Sequence, residues 1–113
     1  MERIESTILK NLIHKEEYAR KVIPFIQPDY FEDRKEKVVF EEIISFIVKY
    51  GSSITIEALN IEVENRTDLT DTESKEIYEM NQNLVKSPVD DQWLLDSTEK
   101  WCRDRAIYLA LME

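Results

Sequence analysis

Apolar residues recur along most of this chain at the spacing of one face of an α-helix. Residues 3–13 predict a first helix, because their apolar positions fall at i, i+4, i+5, i+8 and i+9. These positions are Ile4, Ile8, Leu9, Leu12 and Ile13. A second, short helix is expected from Glu16 to Ile23, where Pro24 limits it. The residues after it predict a single turn that begins at Pro28 and offers Tyr30 and Phe31 for burial.

Residues 34–49 predict a central helix. Their polar residues form one narrow stripe that steps by three or four, namely Arg34, Lys37, Glu41, Ser45 and Lys49. Most other positions from Val38 onward are apolar, and a strand would have alternated instead. Such a wide apolar surface predicts the helix around which the others pack. Gly51, the one glycine of the chain, predicts a left-handed cap at its end.

Two further helices are predicted by their capping residues. Thr55 is a good N-cap for a helix over Ile56–Glu64. Thr70 and Glu73 form a capping box that opens a helix reaching to about Lys86. Its apolar face consists of Ile77, Met80 and Leu84, with Tyr78 and Val85 beside them.

The last predicted helix begins near Asp90 and has no helix-ending residue after Pro88. Its final part, residues 106–112, contains no polar side chain except the hydroxyl of Tyr108. A helix that is apolar on all sides has to be covered on all sides. We therefore expect this run to pack against a second copy or against further chain. The prediction is an all-α fold, a compact bundle of about six helices in a single domain of residues 1–113, which serves as an assembly or docking module in a larger protein.

Composition and charge fit a small globular domain of that kind. The chain has 113 residues, 42% of them hydrophobic, and a formal net charge of −9. Residues 51–113 hold six basic and fourteen acidic residues. Phosphate backbones attract basic surface, so we expect no direct DNA binding. A second interpretation is that the acidic residues only keep the domain in solution. No apolar run approaches the roughly 18 residues of a membrane span, and a single cysteine suits a reducing cytoplasm.

Residues that could carry catalysis or bind a metal are few. The sequence has no GxxxxGK[ST] phosphate loop, one histidine and one cysteine. We expect His14 to be a solvated residue between helices and Cys102 to be a small packing residue. The carboxylates between Glu57 and Glu79 lack the spacing of a calcium loop. The sequence therefore predicts no enzyme activity, no cofactor and no metal site in this chain.

The two tryptophans of the last helix are candidates for the core or for an interface with another chain. Trp93 and Trp101 lie eight positions apart and need not share a face. We expect Trp93 to pack in the core against the central helix. For Trp101 two interpretations stay open, core or interface, because Tyr108 and Met112 follow it at heptad-like spacing. The candidate interface residues are Trp101, Arg105, Tyr108, Leu109 and Met112.

Seven segments stand out when they are taken in order: Lys21 to Ile26, Asp29 to Glu32, Ile54 to Asn60, Ser87-Pro88, Trp93-Leu94, Thr98 to Trp101 and Arg105-Ala106. Together they resemble the start of the replicative DNA helicases of T-even-like bacteriophages, which belong to the DnaB class. None of them is diagnostic alone, but the ordered set runs from about Leu12 to Ala106.

The resemblance implies the N-terminal collar domain of a ring-shaped hexameric helicase. It implies a globular head, residues 1–89, followed by the first arm of a helical hairpin, residues 90–113, with the second arm absent. It also implies partners, namely other helicase subunits, primase and a helicase loader. ATP and Mg²⁺ would belong to a motor domain outside this chain, and a phage-encoded protein would work in the cytoplasm of its bacterial host.

Two other hypotheses stay open beside the collar domain. One is a free-standing small acidic adaptor that binds a partner helix through the same apolar stripe. The other is an enzyme whose site is unrecognised. A reading frame that continues to a GxxxxGK[ST] loop beyond Glu113 would favour the collar domain, and a stop codon there would favour the adaptor.

Overall fold

The computed structural model describes residues 3–112, which form six α-helices and no β-strand. The helices are α1 (Ile4–His14), α2 (Glu16–Val22), α3 (Arg34–Tyr50), α4 (Ile56–Glu64), α5 (Asp71–Asn81) and α6 (Asp91–Met112). Two single 3-10 turns, Ile23–Phe25 and Pro28–Tyr30, lie between α2 and α3. The predicted all-α fold with a long last helix is confirmed. Glu113, the end of the predicted hairpin arm, lies outside the described residues.

The helix ends follow the capping residues that the sequence indicates. Gly51 adopts a φ of 70°, and its backbone N–H donates to the carbonyl of Ile47 over 2.8 Å. The hydroxyl of Thr55 accepts from the N–H of Ala58 at the start of α4. Thr70 and Glu73 form the complete capping box of α5. These ends are local, so the sequence places them well.

The core lies around the first half of α3, which packs against α1, α4 and α5. Val39, Phe40 and Ile43 are fully buried there. The second half of α3 is less covered than its apolar composition predicts, because Val48 is 80% exposed. The other helices contribute buried residues to the same core, among them Ile8, Leu9, Leu12, Tyr18, Ala19, Leu59, Ile77, Leu94 and Trp101.

Helix α5 is shorter than predicted, since it ends at Asn81 and not near Lys86. The buried side-chain amide of Asn81 donates to Asn60 Oδ1 on α4 over 2.8 Å. The N–H of Leu84 then bonds to the carbonyl of Asn81, which turns the chain and places Leu84 in the core. Tertiary packing thus ends this helix where no proline or glycine does.

Helix α6 is the longest helix of the described residues. Its 22 residues span about 33 Å, and the largest extent of the molecule is 34 Å. It packs on α1, α2 and the turn Pro28–Tyr30, whereas α4 and α5 pack on α3 and on each other. The surface formed by α4 and α5 is therefore built separately from the one that receives α6. The division into a head and a hairpin arm stays a prediction.

Candidate interaction surface

The first half of α6 is attached firmly to the rest of the fold. Asp90 caps it, since its carboxylate accepts from the N–H of Trp93 over 2.8 Å. Leu94, Thr98 and Trp101, which follow at the spacing i, i+4 and i+7, form its buried face.

The two tryptophans occupy opposite environments, and the expectation that Trp93 lies in the core is wrong. Trp93 is 51% exposed, because it sits about 100° around the helix from the buried Leu94. Trp101 is 7% exposed, with its ring centre 4.9 Å from that of Phe31 and 5.9 Å from that of Tyr30. The sequence left two positions open for Trp101, the core or an interface, and the structure places it in the core.

Within residues 3–112, Arg105 makes the last polar contacts between α6 and the rest of the fold. Its Nε donates to the main-chain oxygen of Tyr30 over 2.7 Å, and its Nη1 lies 3.2 Å from a carboxylate oxygen of Glu32. The guanidinium also lies over the ring of Tyr108, 4.8 Å from its centre. Arg105 therefore anchors α6 within the chain and orients the first aromatic ring beyond the anchor.

Beyond Arg105 the helix carries an exposed apolar end, as predicted. Ile107 is 55% exposed and Leu111 79% exposed. Tyr108 and Met112 are also exposed, and Leu109 is partly buried. We call these residues, 106–112, the α6 end. Four of the five predicted interface residues thus keep some exposed surface, and their contact with another subunit stays a prediction.

The histidine and the cysteine, which could in principle react or bind a metal, have structural roles in the fold. His14 is not a solvated residue between helices, because its Nε2 is 2.8 Å from the carbonyl of Leu84 and fixes the segment after α5. Burial raises the pKa of the Cys102 thiol to about 11, which keeps it protonated at neutral pH. Among residues 3–112, no three His, Cys, Asp or Glu side chains come together in a way that could hold a metal ion.

Glu36 is a buried carboxylate that the sequence pattern does not reveal. It is 2% exposed and forms an ion pair with Arg3, whose Nη1 is 3.2 Å from its Oε1. Burial raises the pKa of Glu36 to about 7, while Arg3 opposes that rise and Asp33 and Glu5 add to it. The sequence does not indicate that Glu36 is buried. A glutamate in the first turn of a helix is ordinarily exposed to solvent, where its negative charge interacts favourably with the helix dipole.

A second exposed apolar surface lies between α4 and α5. It is a groove of about 290 Å³ lined by Ile61, Val63 and Tyr78, among others. Ile61 is 49% exposed and Tyr78 is 54% exposed. The sequence pattern placed Tyr78 beside the core face of α5 and gave Ile61 no role. Their exposure follows from the way the two helices are rotated against each other.

No helix within residues 3–112 has both the length and the apolar composition needed to cross a membrane. Residues 3–112 form a small all-helical domain with exposed apolar side chains at the α6 end and at the groove between α4 and α5. No protein-family model matches the chain.

The sequence of the chain is similar to that of a known protein. Over 103 residues, 91% of this chain, the sequence is 37% identical to the DnaB-like replicative helicase of Enterobacteria phage T4. The resemblance predicted from the sequence is thereby confirmed. The chain spans only about a fifth of that relative, 22% of its length.

Proposed function

We propose that this chain is the N-terminal collar domain of a hexameric replicative DNA helicase, where it holds subunits together. The observation that carries the proposal is the exposed α6 end, which projects past the last polar anchor at Arg105. The identity to a phage helicase through 91% of the chain supports the same assignment.

Burial of the α6 end would drive association. Complete burial of one large apolar side chain contributes about 1.5–3 kcal/mol. Four side chains of the α6 end are each between 45% and 79% exposed, namely Ile107, Tyr108, Leu111 and Met112. Much of the stabilisation that their burial would give is therefore not realised in the single chain. Exposed apolar surface of this kind, on a helix without charged residues between Ala106 and Met112, is typical of an association site.

The remaining parts of the proposed function belong to partners and to a longer protein. ATP and Mg²⁺ would be bound by a motor domain, which would hydrolyse ATP and unwind DNA in the host cytoplasm. The collar would contact neighbouring subunits and offer docking sites to primase and to a helicase loader. The chain itself would not bind DNA, because its net charge of −9 repels phosphate backbones. It would not hydrolyse ATP, because its sequence holds no GxxxxGK[ST] loop to bind the phosphates.

The assembly role is tested on the longest reading frame that contains this chain. We expect the frame to continue into a segment with a GxxxxGK[ST] loop and the product to form a hexamer in light scattering. Ile107→Asp combined with Leu111→Asp should break the hexamer, because two charges would enter the buried contact. Val85→Asp is the matched control, since Val85 is also exposed, at 61%, but lies outside the α6 end. A hexamer that survives the double substitution would contradict the proposal, and a frame that stops after Glu113 would favour the free-standing adaptor.

A second test uses the chain alone. At about 0.15 M salt it should neither bind single-stranded DNA nor hydrolyse ATP. We expect it to be a monomer or a weak dimer, because half of the hairpin would be missing. Micromolar binding to single strands, or a stable hexamer of the isolated chain, would contradict this assignment.

A further inference from the structure

The buried carboxylate of Glu36 connects the start of α3 to the start of α1. Glu36 is 2% exposed, and Arg3 reaches it with Nη1 at 3.2 Å from Oε1. Arg3 itself is half exposed, at 51%. An ionised carboxylate is costly to bury unless a base compensates its charge. Arg3 therefore lowers the free-energy cost of the negative charge on Glu36.

The same arginine begins α1. Arg3 lies directly before Ile4 in an extended conformation, and among the described residues no side chain caps the helix. The carbonyl of Arg3 accepts the N–H of Thr7 over 3.1 Å and also accepts from the Thr7 hydroxyl over 3.3 Å. The first turn of α1 is thus closed by the main chain of the residue whose side chain is bound to Glu36. The position of that side chain and the order of the first turn are therefore coupled.

The charges around Glu36 make its ionisation sensitive to pH. Burial raises the pKa of Glu36 to about 7, Arg3 opposes the rise, and the carboxylates of Asp33 and Glu5 add to it. The bases next to Glu36 in α3 are engaged with other elements, namely Arg34 with Glu73 and Lys35 with Glu76 of α5, and Lys37 with Asp29 of the turn Pro28–Tyr30. The α4 carboxylate of Glu62 lines a pocket with the later part of α3 instead.

We propose that Arg3 and Glu36 form a pH-dependent latch at the start of α1. When Glu36 is ionised, its charge holds the guanidinium of Arg3 and thereby orders the first turn of the helix. When Glu36 takes up a proton, this attraction is lost. Arg3 then turns to the exposed side of the helix, where Glu5 lies 3.5 Å away. The inference is independent of the proposed function, because it concerns only contacts within one chain.

The latch predicts opposite pH trends for the first turn of α1 and for the core. The folded chain binds the proton of Glu36 more tightly than the unfolded chain, so global stability falls as pH rises from 4.5 to about 7. The first turn should instead become more ordered as Glu36 ionises, because only the ionised form holds Arg3. A general loss of stability would move both regions in the same direction. Opposite trends are therefore specific to the latch.

Amide hydrogen exchange, measured by NMR at about pH 5.5 and about pH 8.5, tests this prediction. Protection of the Thr7 amide, corrected for the intrinsic exchange rate, should be about two- to fivefold higher at the upper pH, the effect of one partly exposed ion pair. Protection of the amide of Ile43, a fully buried residue of α3, should fall over the same range. Thr7 protection that is equal at the two pH values, or that falls together with that of Ile43, overturns the inference.

Two variants remove the latch from either side. Glu36→Gln should keep Thr7 protection at its low-pH value throughout, because the side chain no longer ionises. His14, at the other end of α1, is unchanged in this variant, so any effect of its protonation would persist. Arg3→Met should also remove the pH dependence at Thr7, and it should make the fall in global stability with pH steeper, since the charge on Glu36 loses its partner.

The matched control is Arg20→Met on α2. Arg20 is also an exposed arginine paired with a carboxylate, that of Glu16, but it lies away from the start of α1. This variant should keep the wild-type profile at Thr7, and circular dichroism should show unchanged helix content for all three variants. A pH dependence at Thr7 that persists in Glu36→Gln or in Arg3→Met would show that the pair is not a latch.

Discussion

The phenol oxygen of Tyr18 on α2 lies 2.6 Å from the hydroxyl oxygen of Thr98 on α6, in the buried interior. Thr98 uses its own hydrogen to donate to the carbonyl of Leu94 over 2.7 Å. Tyr18 must therefore be the donor to Thr98. Burial raises the pKa of Tyr18 well above its usual range, so the phenol stays protonated. The pair ties the last helix to the second.

The roles of donor and acceptor predict unequal effects of two substitutions at this pair. Tyr18→Phe removes one hydrogen bond but leaves Thr98 bonded to Leu94, so it should lower the free energy of unfolding by about 0.5–1.5 kcal/mol. Thr98→Val leaves the buried Tyr18 hydroxyl without an acceptor and should cost about 1–3 kcal/mol. Urea unfolding of both variants measures the difference. An equal or reversed order would show that Thr98 is not the acceptor.

The two tryptophans should differ sharply in their contribution to stability. Trp101→Ala removes a ring packed on Tyr30 and Phe31 and should cost about 3–5 kcal/mol. Trp93→Ala removes a ring that is half exposed and should cost less than about 1 kcal/mol. Thermal unfolding followed by circular dichroism compares them. Fluorescence gives an independent check, because Trp93→Phe should leave the emission of a buried indole and Trp101→Phe that of an exposed one.

Stability should depend on pH through Glu36. Its pKa is about 7 in the folded chain and near 4.5 when unfolded, so the folded state binds the proton more tightly between these values. The free energy of unfolding should therefore fall as pH rises through this window, by about 1–2 kcal/mol once solvent screening around the half-exposed Arg3 is allowed for.

Glu36→Gln should remove most of that fall and make the chain more stable than wild type above about pH 7. Glu17→Gln, at an exposed position on α2, is the matched control and should keep the wild-type profile. Denaturant unfolding at a series of pH values measures both. A stability that rises between pH 4.5 and pH 7 in the wild type but not in Glu36→Gln would contradict the assignment.

Cys102 should react slowly with thiol reagents while the chain is folded. Burial raises its pKa from 9.0 to about 11, so roughly a hundredfold less thiolate is present at neutral pH. The greater intrinsic nucleophilicity of a more basic thiolate offsets part of this, which leaves a reaction about tenfold slower than in the unfolded chain. Absorbance after addition of a disulfide reagent, with and without concentrated urea, gives the ratio. Equal rates would show that the thiol is not protected by the fold.

The capping signals were predicted well because they are local. Gly51, Thr55 and Thr70 each act through hydrogen bonds to residues within four positions, so their chemistry is visible in a short window of sequence. The end of α5 was missed for the opposite reason. It depends on the amide of Asn81 meeting Asn60, which lies 21 residues away along the chain.

The candidate surface was predicted in part. The α6 end is recognisable because seven consecutive residues offer no polar face to water. The anchor at Arg105 and the groove at Ile61 and Tyr78 were not recognisable, since they depend on which side of each helix meets a neighbour.

The sequence by itself determined that the chain is helical, where most helices begin and end, and that the last helix finishes in an apolar segment. These properties follow from hydrogen bonds and periodicities within a few residues. Only the tertiary structure decided that Trp101 and not Trp93 is buried, and that Glu36 loses contact with water. A helical pattern defines a face only approximately, and the rotation that turns one side chain inward is set by packing against distant helices.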